Sequence, residues 1–266
     1  MTIKLKEGIY FGQELKSYES DFLKISITSY EPYLDTEKHY HDNNYLSILT
    51  KGNYSEQNKD ETTFIIAGDI LFRPNTYMHK NYFNNDGGTC FNIEFKTDWK
   101  KQLGMQLKLP DRFTQYKSGS LPSLYSLLLS FKNNFHEDLA LEVISEWLFQ
   151  INHITDVSRF KPLVKNVIKI MGDELECFHS LKSLSKKVFV HPVYLARAFK
   201  HATGKTIGAY QVKLKLENAF SLLLNTSLSI NDITHRHGFY DDAHFIRSFK
   251  SVYGTSPHQF RLTIKS

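Results

Sequence analysis

The feature that most constrains this chain is a duplication in its C-terminal part. Leu181 and Leu184 recur as Ile230 and Ile233 at an offset of 49. Leu195, Arg197, Phe199, Lys200 and Gly204 recur as Phe245, Arg247, Phe249, Lys250 and Gly254 at an offset of 50. The change of offset puts one extra residue between the halves of the unit, where a turn belongs. Two copies are too few for a solenoid, so one supersecondary unit is used twice.

Each copy has the grammar of a helix-turn-helix, the first over about 180–202 and the second over about 229–253. Ser180 and Ser229 are N-cap residues, and Asp232 stands at the capping-box position of the second copy. Short turns follow at Phe189–Val190 and Gly238–Phe239–Tyr240. The second helix of each unit carries an apolar stripe, Leu195 with Phe199 or Phe245 with Phe249, and ends before Gly204 or Gly254. Arg197 and Arg247 each lie midway between the two stripe residues and therefore point away from them. A guanidinium at matching outward positions suits major-groove reading, because it pairs with guanine O6 and N7 in a bidentate fork. Lys200 and Lys250, three residues on, suit phosphate contacts. Thr206–Asn225 predicts a connecting helix with Ile207, Tyr210, Leu214 and Leu223 inward. A spacing near one turn of B-DNA, about 34 Å, would let both reading helices enter successive grooves.

Charge points the same way. From Arg159 onward there are 17 Lys and Arg against 7 Asp and Glu, whereas the preceding residues hold 16 against 21. A basic C-terminal half beside an acidic N-terminal half fits a polyanionic partner for the former.

The N-terminal part reads as β-rich. Leu23, Ile25 and Ile27 alternate with polar residues, as do Phe91, Ile93 and Phe95, and short runs occur at Thr62–Ala67 and Asp69–Phe72. Turn signals stand at Lys51–Asn53, Arg73–Asn75 and Asn84–Gly88. Helical periodicity begins near Ser118: Leu124, Leu127, Leu128 and Phe131 mark one helix, and Leu141, Ile144, Leu148 and Ile151 a second, predicted to reach Val157. These two are expected to pack on the first domain and also on a second subunit, with packing within the domain alone as the alternative. A linker at Asp156–Arg159 is the expected hinge. Three segments follow: a sheet domain over 1–117, a helical pair over 118–158, and a DNA-binding domain over 159–266.

Other classes find little support. The opening MTIKLKEGIY lacks an apolar stretch suited to secretion, and no run approaches the roughly 18 apolar residues of a membrane span. The chain is therefore expected in the cytoplasm, with Cys90 and Cys177 as reduced thiols. No nucleophile triad, phosphate-binding glycine loop or CxxC pair points to catalysis.

From about Phe160 to Arg261 the residues resemble the C-terminal domain of AraC/XylS-type transcription regulators. The stretches that carry the resemblance are SLKSLSKKV, HPVYLARAFKHATG, LKLENAFSLLLNTSLSINDIT and GFYDDAHFIRSFKSVYGTSPHQFR. The resemblance implies a seven-helix domain in which Val193, Ala196 and Arg197 face the groove from one reading helix. Asp242, Ala243, His244 and Arg247 do so from the other. It also places Thr255 and Ser256 at a helix start that holds phosphate, and implies an activator acting as a homodimer. Departures are Phe189, where many relatives have glycine, and Lys213 and Lys215, where arginines are common. His235 and His237, two apart on a helix, make a poor metal pair.

His39–Tyr40–His41, Gly52, the run Gly68–Pro74 and His79 resemble the two cupin motifs. Metal-binding cupins use two histidines, a glutamate and a third histidine; here Tyr45 stands in the glutamate position and Thr76 in that of the second motif's glycine. The resemblance implies a cupin-like β-barrel kept as a pocket or dimer scaffold, with no metal or other cofactor. His39, His41, Tyr45 and His79 line it, and the three histidines alone retain the chemistry to hold Zn²⁺ or Fe²⁺. The fold class is thus α+β: a cupin-like barrel with a helical hairpin, then an all-α domain with two helix-turn-helices. Three readings stay open. One is a regulator answering to a small molecule in the barrel. Another is a cupin metal enzyme fused to a nucleic-acid-binding domain. The third is an effector-independent regulator whose barrel serves dimerisation or contact with RNA polymerase.

Overall fold

The computed structural model describes residues 2–59, 61–97, 99, 108–153 and 162–265. Residues 1–152 together with 259–266 form one compact unit, and residues 153–258 form the other. The linker expected at Asp156–Arg159 and the end of the second helix at Val157 lie outside the described residues.

The first unit is built on strands β1 (Ile3–Leu5), β2 (Gln13–Glu19), β3 (Leu23–Tyr30), β4 (His39–His41), β5 (Asn44–Gln57), β6 (Thr62–Ile66), β7 (Ile70–Arg73), β8 (Lys80–Phe95) and β9 (Thr114–Tyr116). The main sheet runs β2-β3-β8-β5-β7-β9, and β6 also pairs with β5. Two long strands make this possible. β8 takes one edge of β5 from Asn44↔Phe95 to Gln57↔Lys80, while β7 and then β6 share the other edge. β1 pairs with β4 in parallel, and isolated bridges join Asp35 to Tyr82 and His39 to His79. The result is the cupin-like barrel.

Two expected turns are instead bends inside strands. Lys51–Asn53 lies within β5 and Asn84–Gly88 within β8, with register shifts at Leu49/Lys51 and Gly52/Tyr54. Gly52 has φ +82°, and a Cβ there would run into the carbonyl of Gly87. Glycine at this point therefore marks a bulge where two bent strands approach closely.

Helix α1 (Pro122–Asn133) buries Leu124, Leu127, Leu128 and Phe131, and α2 (Glu137–His153) buries Ile144, Trp147 and Leu148. They pack on the sheet: Phe131 lies 5.5 Å from Phe91, and Trp147 lies 5.8 Å from Phe72 and 6.0 Å from Phe95, ring centre to ring centre.

Seven helices follow among the described residues: α3 (Pro162–Asp173), α4 (Leu181–Lys187), α5 (Pro192–Thr203), α6 (Ile207–Asn225), α7 (Ile230–Arg236), α8 (Asp242–Tyr253) and α9 (Pro257–Lys265). Val164, Val167, Met171, Leu184, Leu195, Phe199 and Ile207 form the core of the first repeat. In the second, Phe220 and Leu223 from α6 join Phe245, Phe249 and Tyr253, with Phe249 and Tyr253 only 4.4 Å apart. α6 thus contributes one end to each core. Burying each such aromatic or aliphatic side chain is worth roughly 1.5–3 kcal/mol.

Candidate nucleic-acid interface and barrel site

The two copies agree in local detail. Ser180 accepts from the amide of Ser183, and Ser229 from that of Asp232, whose carboxylate returns a bond to complete a capping box. After α4 and α7 the chain turns through a left-handed residue, Phe189 (φ +54°) or Gly238 (φ +58°). The next amide then bonds back, Val190 to the carbonyl of Ser185 at 3.0 Å and Phe239 to that of Thr234 at 3.3 Å. The turn geometry is therefore kept in the first copy although phenylalanine replaces glycine. The extra residue of the second copy is Tyr240, 92% exposed. N-caps at His191 and Asp241 then open α5 and α8, which end at left-handed Gly204 and Gly254.

Within each second helix the apolar stripe is fully buried while Arg197, Lys200, Arg247 and Lys250 are exposed. Val193 and Ala243 are exposed as well; Ala196, Asp242, His244, Thr255 and Ser256 are half-buried. Asp242 accepts from the Asn231 side chain at 3.2 Å, which ties α8 to α7. The two lysines at arginine positions have structural partners. Lys215 is buried and donates to the Gly238 carbonyl at 2.7 Å, whereas Lys213 pairs with Glu217 at 2.5 Å. His235 is exposed, but His237 is half-buried, so the pair does not face one way.

In the first unit, three histidines converge. His39 and His41 are two residues apart on β4 and so share one face. His79 joins them through paired backbone bonds to His39 of 2.8 and 2.9 Å. All three are buried, and one ring nitrogen from each lies within 4.8 Å of the others. Tyr45 is brought to the same place, with its hydroxyl 3.4 Å from His79 Nε2 and its ring 4.6 Å from that of His41. Tyr10 and Phe11 cover the cluster, at 5.2 Å from His41 and 4.8 Å from His39. Thr76, at the position of the cupin glycine, keeps a left-handed backbone (φ +66°) and donates its amide to the His41 carbonyl.

Burial lowers the pKa of His39 and drives those of His41 and His79 well below the usual histidine value, so the rings are neutral at neutral pH. His39 Nδ1 lies 2.8 Å from the Glu37 carbonyl and His79 Nδ1 lies 3.1 Å from that of Tyr77. A carbonyl only accepts, so both Nδ1 atoms carry the proton and both Nε2 atoms are left with lone pairs.

Sequence reasoning missed the ion pair beside this cluster. Arg73, taken there as part of a turn, is buried in β7; its Nε donates to Glu56 at 3.0 Å, Nη1 to Ser47 at 2.8 Å and Nη2 to Tyr54 at 2.7 Å. Its guanidinium sits 5.1 Å over the Tyr45 ring. The available signal was the alternation of β5, which puts Tyr54 and Glu56 on one face. With these groups in place the barrel interior retains a cavity of about 20 Å³, lined among others by His39, His41, Tyr45 and Arg73. That is room for about one water molecule.

A helix-turn-helix domain family matches residues 184–263. The Msm operon regulatory protein of Streptococcus mutans is 29% identical over 249 residues, covering 85% of this chain and 86% of that protein. The probable transcription factor PqrA of Proteus vulgaris is 32% identical over 101 residues, 37% of this chain and 83% of PqrA. Among solved structures, the C-terminal domain of AraT, a response regulator from Geobacillus stearothermophilus, is similar at 32% identity. It covers 40% of this chain and 88% of that domain with a TM-score of 0.38. The duplicated helix-turn-helix defines a DNA-binding transcription regulator. The chain belongs to the AraC/XylS-type family.

Proposed function

We propose that this regulator reads its operator through Arg197 and Arg247, supported by Val193, Ala196, Asp242, Ala243 and His244, and grips phosphates through Lys200, Lys250, Thr255 and Ser256. The observation that carries this reading is the pair of exposed arginines at equivalent places on two copies of one scaffold, each backed by a fully buried stripe. Val193, Ala196 and Ala243 supply apolar contact to thymine methyls, and the two arginines supply hydrogen-bonded readout of guanine. The segment boundaries near 117 and 158 separate sensing from reading.

The regulator acts in the cytoplasm as a homodimer and activates transcription, with RNA polymerase as its further partner. No helix among the described residues is long and apolar enough to cross a membrane. Its barrel receives an effector that shifts DNA affinity, which requires unequal binding to two states of the protein. The small cavity favours an effector of atomic or water-like size over an organic molecule.

Selection of the full chain's preferred duplex from a random library tests the reading. Arg197→Ala and Arg247→Ala are each expected to lose about 1–3 kcal/mol of discrimination at one base pair. Unchanged affinity and base preference in both variants would overturn the assignment.

A further inference from the structure

Three buried histidines converge at one place in the first unit. Fixing the proton on Nδ1 of His39 and His79 leaves two acceptor nitrogens in one small enclosure, 4.3 Å apart by ring centres. Two acceptors facing one small space conflict unless a donor or a cation stands between them. The Tyr45 hydroxyl can donate to His79, but a single proton satisfies one acceptor only. No carboxylate joins the cluster among the described residues; the Glu56 carboxylate is taken by Arg73.

A divalent ion resolves that conflict, and the site meets the requirements for one. Imidazole nitrogen suits zinc, iron, cobalt, nickel and copper, and three such ligands leave one tetrahedral position for solvent. At metal–nitrogen distances of about 2.1 Å, the nitrogens of a tetrahedral site lie about 3.4 Å apart. Spacings of up to 4.8 Å therefore close by at most about 1.4 Å. The outer partners are in place as well: a backbone carbonyl holds Nδ1 of two of the rings, the arrangement that orients ligating histidines. The cavity beside them has the volume of the solvent ligand.

We infer that the effector read by this barrel is a divalent first-row transition-metal ion held by His39, His41 and His79. This rests on the reading of the chain as an effector-responsive regulator. The replacement of an acidic ligand by Tyr45 leaves an all-imidazole site, which favours borderline ions over magnesium or calcium.

The test uses the full chain, stripped with a chelator and titrated with Zn²⁺ by calorimetry and Co²⁺ by absorbance. One ion per chain is expected, with visible cobalt bands and three imidazoles per bound cobalt by X-ray absorption. His39→Gln, His41→Gln and His79→Gln should each weaken binding by more than the roughly 10–100-fold that loss of an outer partner costs. The imidazole count on wild-type protein decides the matter even where a variant fails to fold. Affinity for the selected duplex, with and without Zn²⁺, should differ on the order of 5–150-fold. No stoichiometric uptake, or a bound ion with no histidine ligands, overturns the site. Uptake with unchanged DNA affinity overturns the ion as effector. If duplex selectivity is absent whatever the metal content, the regulator reading itself fails, and the titrations reveal that separately.

Discussion

Replacing Phe189 by glycine should stabilise the DNA-binding unit, while replacing Gly238 by alanine, at the equivalent turn, should destabilise it. Phe189 holds a left-handed backbone with 94% of its surface exposed, so it bears the strain of that conformation and buries almost nothing in return. The left-handed penalty for an L-residue is roughly 1–2 kcal/mol. The greater freedom of glycine in the unfolded chain offsets about 0.5–1 kcal/mol of it. Phe189→Gly is thus expected to gain about 0.5–1 kcal/mol. Gly238 shares the backbone angle, but its surroundings differ. An added Cβ would strike the backbone carbonyl of Glu176, and the Gly238 carbonyl is held by Lys215. Gly238→Ala therefore combines conformational strain with a displaced backbone, a loss of about 2 kcal/mol or more. Urea unfolding followed by far-UV circular dichroism is the appropriate assay, because both tryptophans, Trp99 and Trp147, lie in the other unit. At slopes of about 1–3 kcal/mol/M, Phe189→Gly should raise the midpoint by a few tenths of a molar. A lowered midpoint for Phe189→Gly, or an unchanged one for Gly238→Ala, would refute the account of the turn.

Three further outcomes follow from the same geometry. Lys250→Ala should weaken binding to all duplexes alike and reduce the slope of log affinity against log salt by about 1, measured by anisotropy across a salt series. Ser229→Ala removes a capping box and should cost about 0.5–2 kcal/mol in thermal or urea unfolding, with DNA base preference unchanged. Glu56→Gln leaves the Arg73 guanidinium buried without its counter-charge and should destabilise the barrel by about 3–5 kcal/mol, seen in tryptophan fluorescence during unfolding.

The helical half was legible because its signals are local. Ser180 and Ser229, Gly204 and Gly254, and the stripes at Leu195, Phe199, Phe245 and Phe249 each act over one or two turns, and all sit where their spacing put them. Repetition added a check that one copy could not provide, and it placed the extra residue, Tyr240, in a turn. The barrel was legible in kind but not in course. Glycines at Gly52 and Gly87 look like hairpin turns in the sequence, yet they permit two strands to bend past each other, and only long-range pairing tells these cases apart. Arg73 before Pro74 likewise suggests an exposed turn, because its partner Glu56 is 17 residues away.

The same distinction separates the two sites. The proposed reading surface depends on what points outward, which helical periodicity fixes residue by residue. The barrel interior depends on what meets across strands, so His39 and His41 could be paired from sequence while their approach to His79 could only be guessed through resemblance. Thr76 and Phe189 share one backbone property. Each stands where its family pattern has glycine, and each nonetheless keeps the left-handed backbone that glycine serves. The hydrogen bonds around each turn, Thr76 to His41 and Val190 to Ser185, fix the path without a glycine. At such positions the surrounding backbone dictates the conformation and the side chain bears the strain.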